Sequence, residues 1–484
     1  MARKRKILPE INNVEITGIA AEGKALTKVR LKEDDESPIV VFVPYGAPGD
    51  VVNLKIDKKK HNFAEAHITE IVSPSPVRVT PFCSYFGTCG GCKWQHLPYE
   101  EQLKFKRQQV IDALQRLGKI DFPDVNPVLG SKNNTAYRNK MEYTFSQKRW
   151  KSWEEMKGGE SECLREEALG FHIPGAFDKV LHIEECLLQS EIGDRIRNFI
   201  YEYAINHSLT FYDIRANSGL LRNLMIRITS TGEIMVCVVF GEDKQEEILK
   251  LLESLASAFP QITDLEYVVN LKLNDSIADL EVRNYKGPGY IGETMGDLKF
   301  RISPKSFYQT NSEQAFVLYK TVAKFAGLSN KDSGLKPLVY DLYTGAGTIA
   351  NFVSKNASKV IGIEYVEDAV KDARINSRIN NIQNTEFFAG DMKKVLTDSF
   401  IATNGKPDII IVDPPRAGMH EDVVKTILNA LPGVIVYVSC NPATQARDLA
   451  LLDEKYEVTE VQPVDMFPHT HHVENVVKLI RREK

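Results

Sequence analysis

The rhythm of apolar and polar positions changes along the 484-residue chain. Between residues 12 and 73, β-branched runs with partial alternation and Gly, Pro and Asp turns predict about five short strands, enough for a small barrel of oligonucleotide-binding type. The Pro/Ser stretch at 73–81 reads as a linker. Over residues 98–118, Leu103, Val110, Ile111, Leu114 and Leu117 fall near helical spacing, and Gly118 suits a C-cap. From 135 to 300, strand-like runs at 220–228, 233–240 and 265–273 alternate with loops, and the loop around Glu154–Glu167 is rich in charge. Beyond 336, near-continuous apolar runs at 337–343, 359–366, 385–390, 408–415 and 434–440 alternate with helical segments. That pattern predicts a parallel sheet covered on both faces. The fold class expected is therefore α/β: an N-terminal barrel over 8–74, a central α+β domain over 75–300, and a doubly wound Rossmann-like domain over 301–484.

Composition narrows the class. With 43% hydrophobic and 26% charged residues, the chain is an ordinary globular one, long enough for two to four domains. No run approaches a membrane-spanning length. Arg3, Lys4, Arg5 and Lys6 precede no apolar core, so they are not a secretory signal and the cytoplasm is the expected location. Seven cysteines, an odd number, argue against a disulfide scaffold and for metal or catalytic use. The net charge of −4 hides an asymmetry. Residues 1–150 hold 24 Lys and Arg against 17 Asp and Glu, so the first third can carry a basic, nucleic-acid-facing surface. Lys58, Lys59, Lys60 and His61 lie at a predicted hairpin tip, where they would contact phosphates or simply protect a strand edge.

The chemistry gathers at the carboxyl ends of the C-terminal strands. Asp341-Leu-Tyr343-Thr-Gly345-Ala-Gly347 is a glycine turn that admits close approach of a ligand, and Glu364 follows Gly345 by 19 residues, where doubly wound folds place a carboxylate on ribose hydroxyls. The third glycine of the dinucleotide fingerprint and a Walker lysine are both missing. S-adenosylmethionine, with an adenosine, no phosphate and a cationic sulfonium, fits better than a pyrophosphate. Asp413-Pro414-Pro415-Arg416 closes another buried strand, the prolines stiffening the loop that aims the carboxylate. Cys440, between Ser439 and Asn441-Pro442 at a third strand end, is placed as a nucleophile rather than as an inert core thiol. His469, His471, His472 and Glu474 precede the last strand. The histidines lack partners that would complete a zinc set, and Glu474 is either a solvated charge or a general base. Cys83, Cys89 and Cys92 within ten residues point to a metal, zinc or iron–sulfur, without choosing between them.

Cys83-x5-Cys89-Gly-Gly-Cys92, Ser306-Phe-Tyr-Gln309-Thr-Asn311, the DLYTGAGTIA loop, IVDPPRAG, VSCNPATQARD and FPHTHHVE occur in that order. This series closely resembles the RNA uracil-5-methyltransferases, in particular the iron–sulfur-containing 23S ribosomal RNA enzymes, over roughly residues 12–480. The resemblance implies a TRAM-type RNA-binding barrel. It implies a 4Fe-4S cluster on Cys83, Cys89, Cys92 and Cys186, with Cys163 and Cys237 structural. It implies an S-adenosylmethionine pocket at Gln309, Tyr343, Glu364 and Asp413, with Cys440 as nucleophile and Glu474 as base. Thr348 and Asp391 stand where some relatives place other polar side chains, and helices like 98–118 pack with the catalytic domain in related enzymes.

The reaction so implied is methylation of uracil carbon 5 by way of a thiolate adduct at carbon 6. The substrate would be a single-stranded or loop uridine splayed out of its stack, in 23S ribosomal RNA or alternatively in transfer RNA, with no obligate protein partner. Asp413 would hold the uracil ring nitrogen or the cofactor. Competing readings fare worse. An exocyclic-amine methyltransferase would carry an aromatic residue where Arg416 follows Pro415, and a cytosine-5 enzyme would carry a second cysteine near Asp413. A nicotinamide-dependent oxidoreductase would need the full glycine fingerprint, and a non-catalytic iron–sulfur RNA-binding factor would not need its cofactor.

Overall fold

A computed structural model describes residues 8–31, 37–152, 155–156, 165–329 and 336–483. The basic N-terminus, Cys163 and much of the charged loop at 150–168 lie outside the described residues. Strands Glu10–Glu15, Gly18–Ile19, Ala25–Val29, Ile39–Val43, Val51–Lys59 and Phe63–Ser73 form one sheet. Its two edge strands, Glu10–Glu15 and Gly18–Ile19, are consecutive in the chain, so the sheet wraps back on itself. Thr27 Oγ1 donates to the Glu15 carbonyl at 2.7 Å across the seam. Alternation sends Val41, Val43, Val52, Leu54 and Ile56 into the barrel core. Lys58, Lys59, Lys60 and His61 stand exposed where the last two strands join. The Pro/Ser stretch is not a free tether. Buried Asp50 accepts from the Ser75 N–H at 2.8 Å and from Arg78 Nε at 2.8 Å, which fixes the stretch to the barrel.

The helix Tyr99–Asp112 continues as a π-turn through Gly118. Two features differ from the sequence expectation. Its buried face includes Gln102 and Lys106, while Leu117 is 58% exposed. The cap is also displaced: Lys119 takes the left-handed conformation (φ 52°), and Gly118 is pressed against the chain at Ala446, where a Cβ would lie 3.2 Å from a carbonyl oxygen. A π-turn widens the last turn by one residue, which rotates Leu117 outward and moves the cap on by one.

The central sheet runs in the order Arg283–Lys286, Ile262–Val269, Ile234–Phe240, Leu221–Ile228, Lys140–Ser146, Ala168–Ile173, Ala176–His182. Helices Glu191–Asn206 and Gln245–Ala258 cover one face with Ile196, Ile200, Ile248 and Leu252. From the other face Met225, Met235, Cys237 and Val268 join a core shared with the hairpin Ile291–Met295/Leu298–Ile302 and the helix Ser312–Phe325. That core is continuous across residue 300.

The C-terminal sheet has the order Thr385–Ala389, Lys359–Glu364, Leu338–Leu342, Ile409–Val412, Val434–Ser439, Glu474–Arg481, Tyr456–Val464. The first five strands are parallel, and the final hairpin adds antiparallel to Val434–Ser439. Strand order reverses between Leu338–Leu342 and Ile409–Val412, which opens a crevice at their carboxyl ends. Among the described residues, no helix is long and apolar enough to cross a membrane.

Candidate active site

The turn after Leu338–Leu342 holds three demands for positive φ: Tyr343 (65°), Gly345 (54°) and Gly347 (73°). Glu364, at the end of the neighbouring strand, accepts from the Gly345 N–H at 3.0 Å and the Val366 N–H at 2.9 Å. A Cβ on Gly345 would meet open space, whereas one on Gly347 would sit 2.9 Å from Ala373 Cβ. Gly347 therefore lets the loop pack on the helix Glu367–Ile379, and Gly345 leaves its crest open to a ligand. The Tyr343 phenol, raised to about 12 by burial and by Asp448, Asp391 and Glu364, shares this edge. Asp391 caps the turn Met392–Val395 through the Lys393 N–H at 3.1 Å.

Asp413, Cys440 and Glu474 converge at the same edge from three strands. Burial and the nearby Asp341 push the Asp413 carboxyl up to about 7. Asp341, fully buried and bonded by Thr344 Oγ1, is itself raised to about 7 by burial. Glu474 opens the last strand, is 5% exposed, and is pushed to about 8 by burial and by Asp413, with Arg416 pulling the other way. Burial raises the Cys440 thiol to about 11, helped by Glu474 and Asp413 and opposed by Arg416, which hydrogen-bonds it. Asn441 caps the helix Pro442–Leu452, and its Nδ2 donates to the Arg416 carbonyl at 3.0 Å, locking the two loops together. The floor is the helix Ser312–Phe325. Tyr319 Oη stands 3.2 Å from Thr348 Oγ1, and its phenol feels Asp413, Asp341 and Glu474.

Gln309 is buried on the segment leading into that floor helix. Asn139 of the central domain holds the segment: its Nδ2 donates to the Gln309 carbonyl at 2.9 Å and its N–H to the Thr310 carbonyl at 2.7 Å. Arg227 Nη2 adds a bond to the Ser306 carbonyl at 3.1 Å. Sequence reasoning missed Asn139, Arg227 and Tyr319, because only the fold brings them here.

Cys83, Cys89, Cys92 and Cys186 do not belong to this site. They line a cavity of about 630 Å³ between the barrel linker and the central domain, together with Phe86, Phe171 and Pro174. Cys186 thus joins the other three across 94 residues of sequence. Burial pushes Cys89 to about 11 and Cys92 to about 12, with the other thiols adding to the rise. Hydrogen bonds from the Gly91 N–H, the Gln95 side chain and the Leu188 N–H reach Cys89, Cys92 and Cys186 respectively and oppose it. Donors aimed at sulfur suit metal-bound thiolates. Among the described residues, no three His, Cys, Asp or Glu side chains stand close enough to hold a single metal ion. Four thiols lining one cavity are the donor type that structural zinc and iron–sulfur clusters share.

The histidine loop bridges the two regions. Lys106 bonds Asp465 and the Phe467 carbonyl, Tyr137 Oη bonds the Pro468 carbonyl at 3.1 Å, and the Lys93 and Trp94 N–H groups bond the His469 carbonyl at 2.8 and 3.1 Å. His469 Nδ1 lies 3.2 Å from Gln102 Nε2. His469 braces the loop through its carbonyl and its ring.

Known proteins share this architecture. A family model described as tRNA (Uracil-5-)-methyltransferase matches residues 290–482. A Bacteroides thetaiotaomicron relative described as an uncharacterized RNA methyltransferase is 56% identical over 464 residues, covering 95% of this chain and 99% of the relative. A relative so described from Chlorobaculum tepidum is 41% identical over 442 residues, 90% of each chain. Among solved structures, the tRNA (uracil-54, C5)-methyltransferase of Pyrococcus abyssi in complex with S-adenosyl-L-homocysteine is similar over 97% of this chain and 100% of that one, with a TM-score of 0.74 and 28% identity.

Proposed function

Since the chain belongs to the tRNA/RNA uracil-5-methyltransferase family and is an RNA methyltransferase, we propose that it methylates carbon 5 of a uridine in ribosomal RNA, 23S ribosomal RNA being the target, with S-adenosylmethionine as donor. The observation that carries this reading is the convergence of Cys440, Glu474, Asp413 and Arg416 at one sheet edge. Gln309, Tyr343, Glu364 and Asp413 are the residues proposed to hold the donor, with Glu364 and the Gly345 crest at its adenosine end. When bound, S-adenosylmethionine supplies the methyl group and a sulfonium charge.

Carbon 5 of uracil is a poor nucleophile. The Cys440 sulfur passes its proton to solvent water and bonds to carbon 6, and the ring π electrons move onto the carbon 4 oxygen. Carbon 5 of that enolate takes the methyl group as the carbon 4 carbonyl re-forms; the sulfur–methyl bond breaks with its electron pair kept by sulfur, leaving S-adenosylhomocysteine. Glu474 then removes the proton left on carbon 5, the ring double bond re-forms, and the bond from carbon 6 to sulfur breaks. Arg416 favours the thiolate. Glu474, raised to about 8 by burial, is a stronger base than an ordinary carboxylate.

The four cysteines are proposed ligands of a 4Fe-4S cluster, which would supply a structural anchor for the Cys83–Cys92 segment. This set also supports the ribosomal branch, because the resemblance to the 23S enzymes includes its spacing. The barrel over residues 8–74 and its exposed lysine tip are proposed to track RNA phosphates.

Mass spectrometry of ribosomal RNA from cells lacking the protein tests the reading. Loss of one 5-methyluridine, restored by the wild-type gene, is expected. Unchanged 5-methyluridine in 23S ribosomal RNA overturns the target, and failure of the purified holoprotein to label any uridine-containing transcript overturns the reaction.

A further inference from the structure

The loop leading into Glu474 presents His472 to the Arg416 guanidinium and Phe467 to that of Arg138. Arg416 Nη2 stands 3.3 Å from both ring nitrogens of His472. The His471 and His472 rings lie 4.1 Å apart. Arg138 sits 5.6 Å over the Phe467 ring, which itself lies 6.2 Å from His472. Lys106, Lys93 and Arg416 act on His471, and Arg416, Lys106 and Arg138 act on His472.

We propose that Arg138, His471, His472 and Arg416 form a cradle for a phosphodiester of the RNA strand beside the reacting uridine. The proposal rests on the RNA reading above and deepens it.

Charge and unsatisfied donors carry the argument. Among the described residues, neither Arg138 nor Arg416 is in a salt bridge. The acids facing Arg416 are Glu474 and Asp413, both inside the reaction site, and Asp465 is taken by Lys106. Arg138 Nε and His471 Nδ1 are buried without a hydrogen-bond partner. Buried polar groups left unpaired are costly, and a phosphate oxygen is an acceptor that answers a cation and two N–H donors together. A neutral imidazole still donates one N–H, so the histidines contribute without being charged. The position is also right for the task. A uridine splayed out of its stack exposes its flanking phosphates at the pocket mouth, and gripping one there fixes the base over Cys440.

The rival role for Arg138 is service to the four-cysteine cavity, which it also lines. The experiment separates the two. Holoprotein carrying Arg138→Gln or Arg138→Lys is titrated with salt while it binds an unmodified 23S ribosomal RNA transcript and a uridine oligonucleotide. Iron content and S-adenosylhomocysteine affinity are measured alongside. For Arg138→Gln the slope of log affinity against log salt should fall by about 0.7, the share of one phosphate contact on a single strand. Arg138→Lys should restore it, with iron and S-adenosylhomocysteine affinity unchanged. An unchanged slope, or a slope lost only together with iron, overturns the cradle. If the glutamine variant does not accumulate, His471→Ala decides: weaker RNA binding at full iron content supports the cradle, and unchanged binding removes it. Wild-type protein that binds RNA but methylates none of it defeats the functional reading while leaving the cradle standing.

Discussion

Lys106 and Asp465 pair with both side chains fully withdrawn from solvent, joining the helix Tyr99–Asp112 to the loop that delivers Glu474. Asp465 also accepts from Tyr99 Oη at 2.8 Å and from the Phe467 N–H at 2.9 Å. A buried pair gives little net stability, but losing one partner strands a charge. Lys106→Met should destabilise the protein by about 3–5 kcal/mol in denaturant unfolding. Adding Asp465→Asn, which keeps the acceptor for Tyr99 and Phe467 without the charge, should recover more than half. A single variant as stable as wild type would mean that the pair does not hold the loop.

The division of labour proposed for Cys440 and Glu474 predicts opposite behaviour from two variants. With Glu474→Gln, carbon 5 keeps its proton after methylation and sulfur cannot leave. A denaturant-stable RNA–protein adduct should accumulate on gels. Cys440→Ala should give none, and neither variant should turn over. An adduct formed by Cys440→Ala would assign the nucleophile elsewhere.

Glu474 also sets a pH dependence of stability. Its folded-state pKa of about 8 lies above the ordinary glutamate value of about 4.3. The folded state therefore binds the proton more tightly than the unfolded chain. The stability this contributes is complete below about pH 4 and is lost progressively as pH rises through about 8. Asp413 and Asp341, both raised to about 7, act in the same direction. Glu474→Gln removes one such penalty. In denaturant unfolding at pH 8.5 it should be more stable than wild type by an amount on the order of 5 kcal/mol, since each tenfold difference in proton affinity is worth about 1.4 kcal/mol. The gap should narrow to about 1 kcal/mol at pH 5, and a gap independent of pH would exclude this origin.

Legibility followed locality. The strand Ile409–Val412 is buried at every position, so its apolar run announces it, and Asp413 and Cys440 stand out because they sit where such runs stop. The helix Tyr99–Asp112 is equally plain, but its inward face is not: Gln102 and Lys106 look solvent-facing until Trp94, His469 and Asp465 arrive from elsewhere to satisfy them. Arg416 draws notice for the motif it breaks rather than for the thiol it touches. Asn139 and Arg227 are invisible in the sequence because their work, holding the backbone at Gln309 and Ser306, spans 170 and 79 residues.

If Cys83, Cys89, Cys92 and Cys186 hold the proposed cluster, its removal should strike the RNA side of the molecule first. Without a metal, burial keeps Cys89 and Cys92 protonated, at about 11 and 12, so the Cys83–Cys92 segment loses the bonds that would hold it. That segment runs directly into Lys93 and Trp94, whose N–H groups bond the His469 carbonyl, and the cavity wall includes Arg138 and Thr470. The Gly345–Gly347 turn and Glu364 are not among the residues lining that cavity. Chelation of the proposed cluster's iron, or Cys89→Ser, should therefore lower RNA affinity and the melting temperature while S-adenosylhomocysteine affinity, read by calorimetry, stays near that of the untreated wild-type protein. Parallel loss of both affinities would show that the cavity supports the whole fold rather than the face that meets RNA.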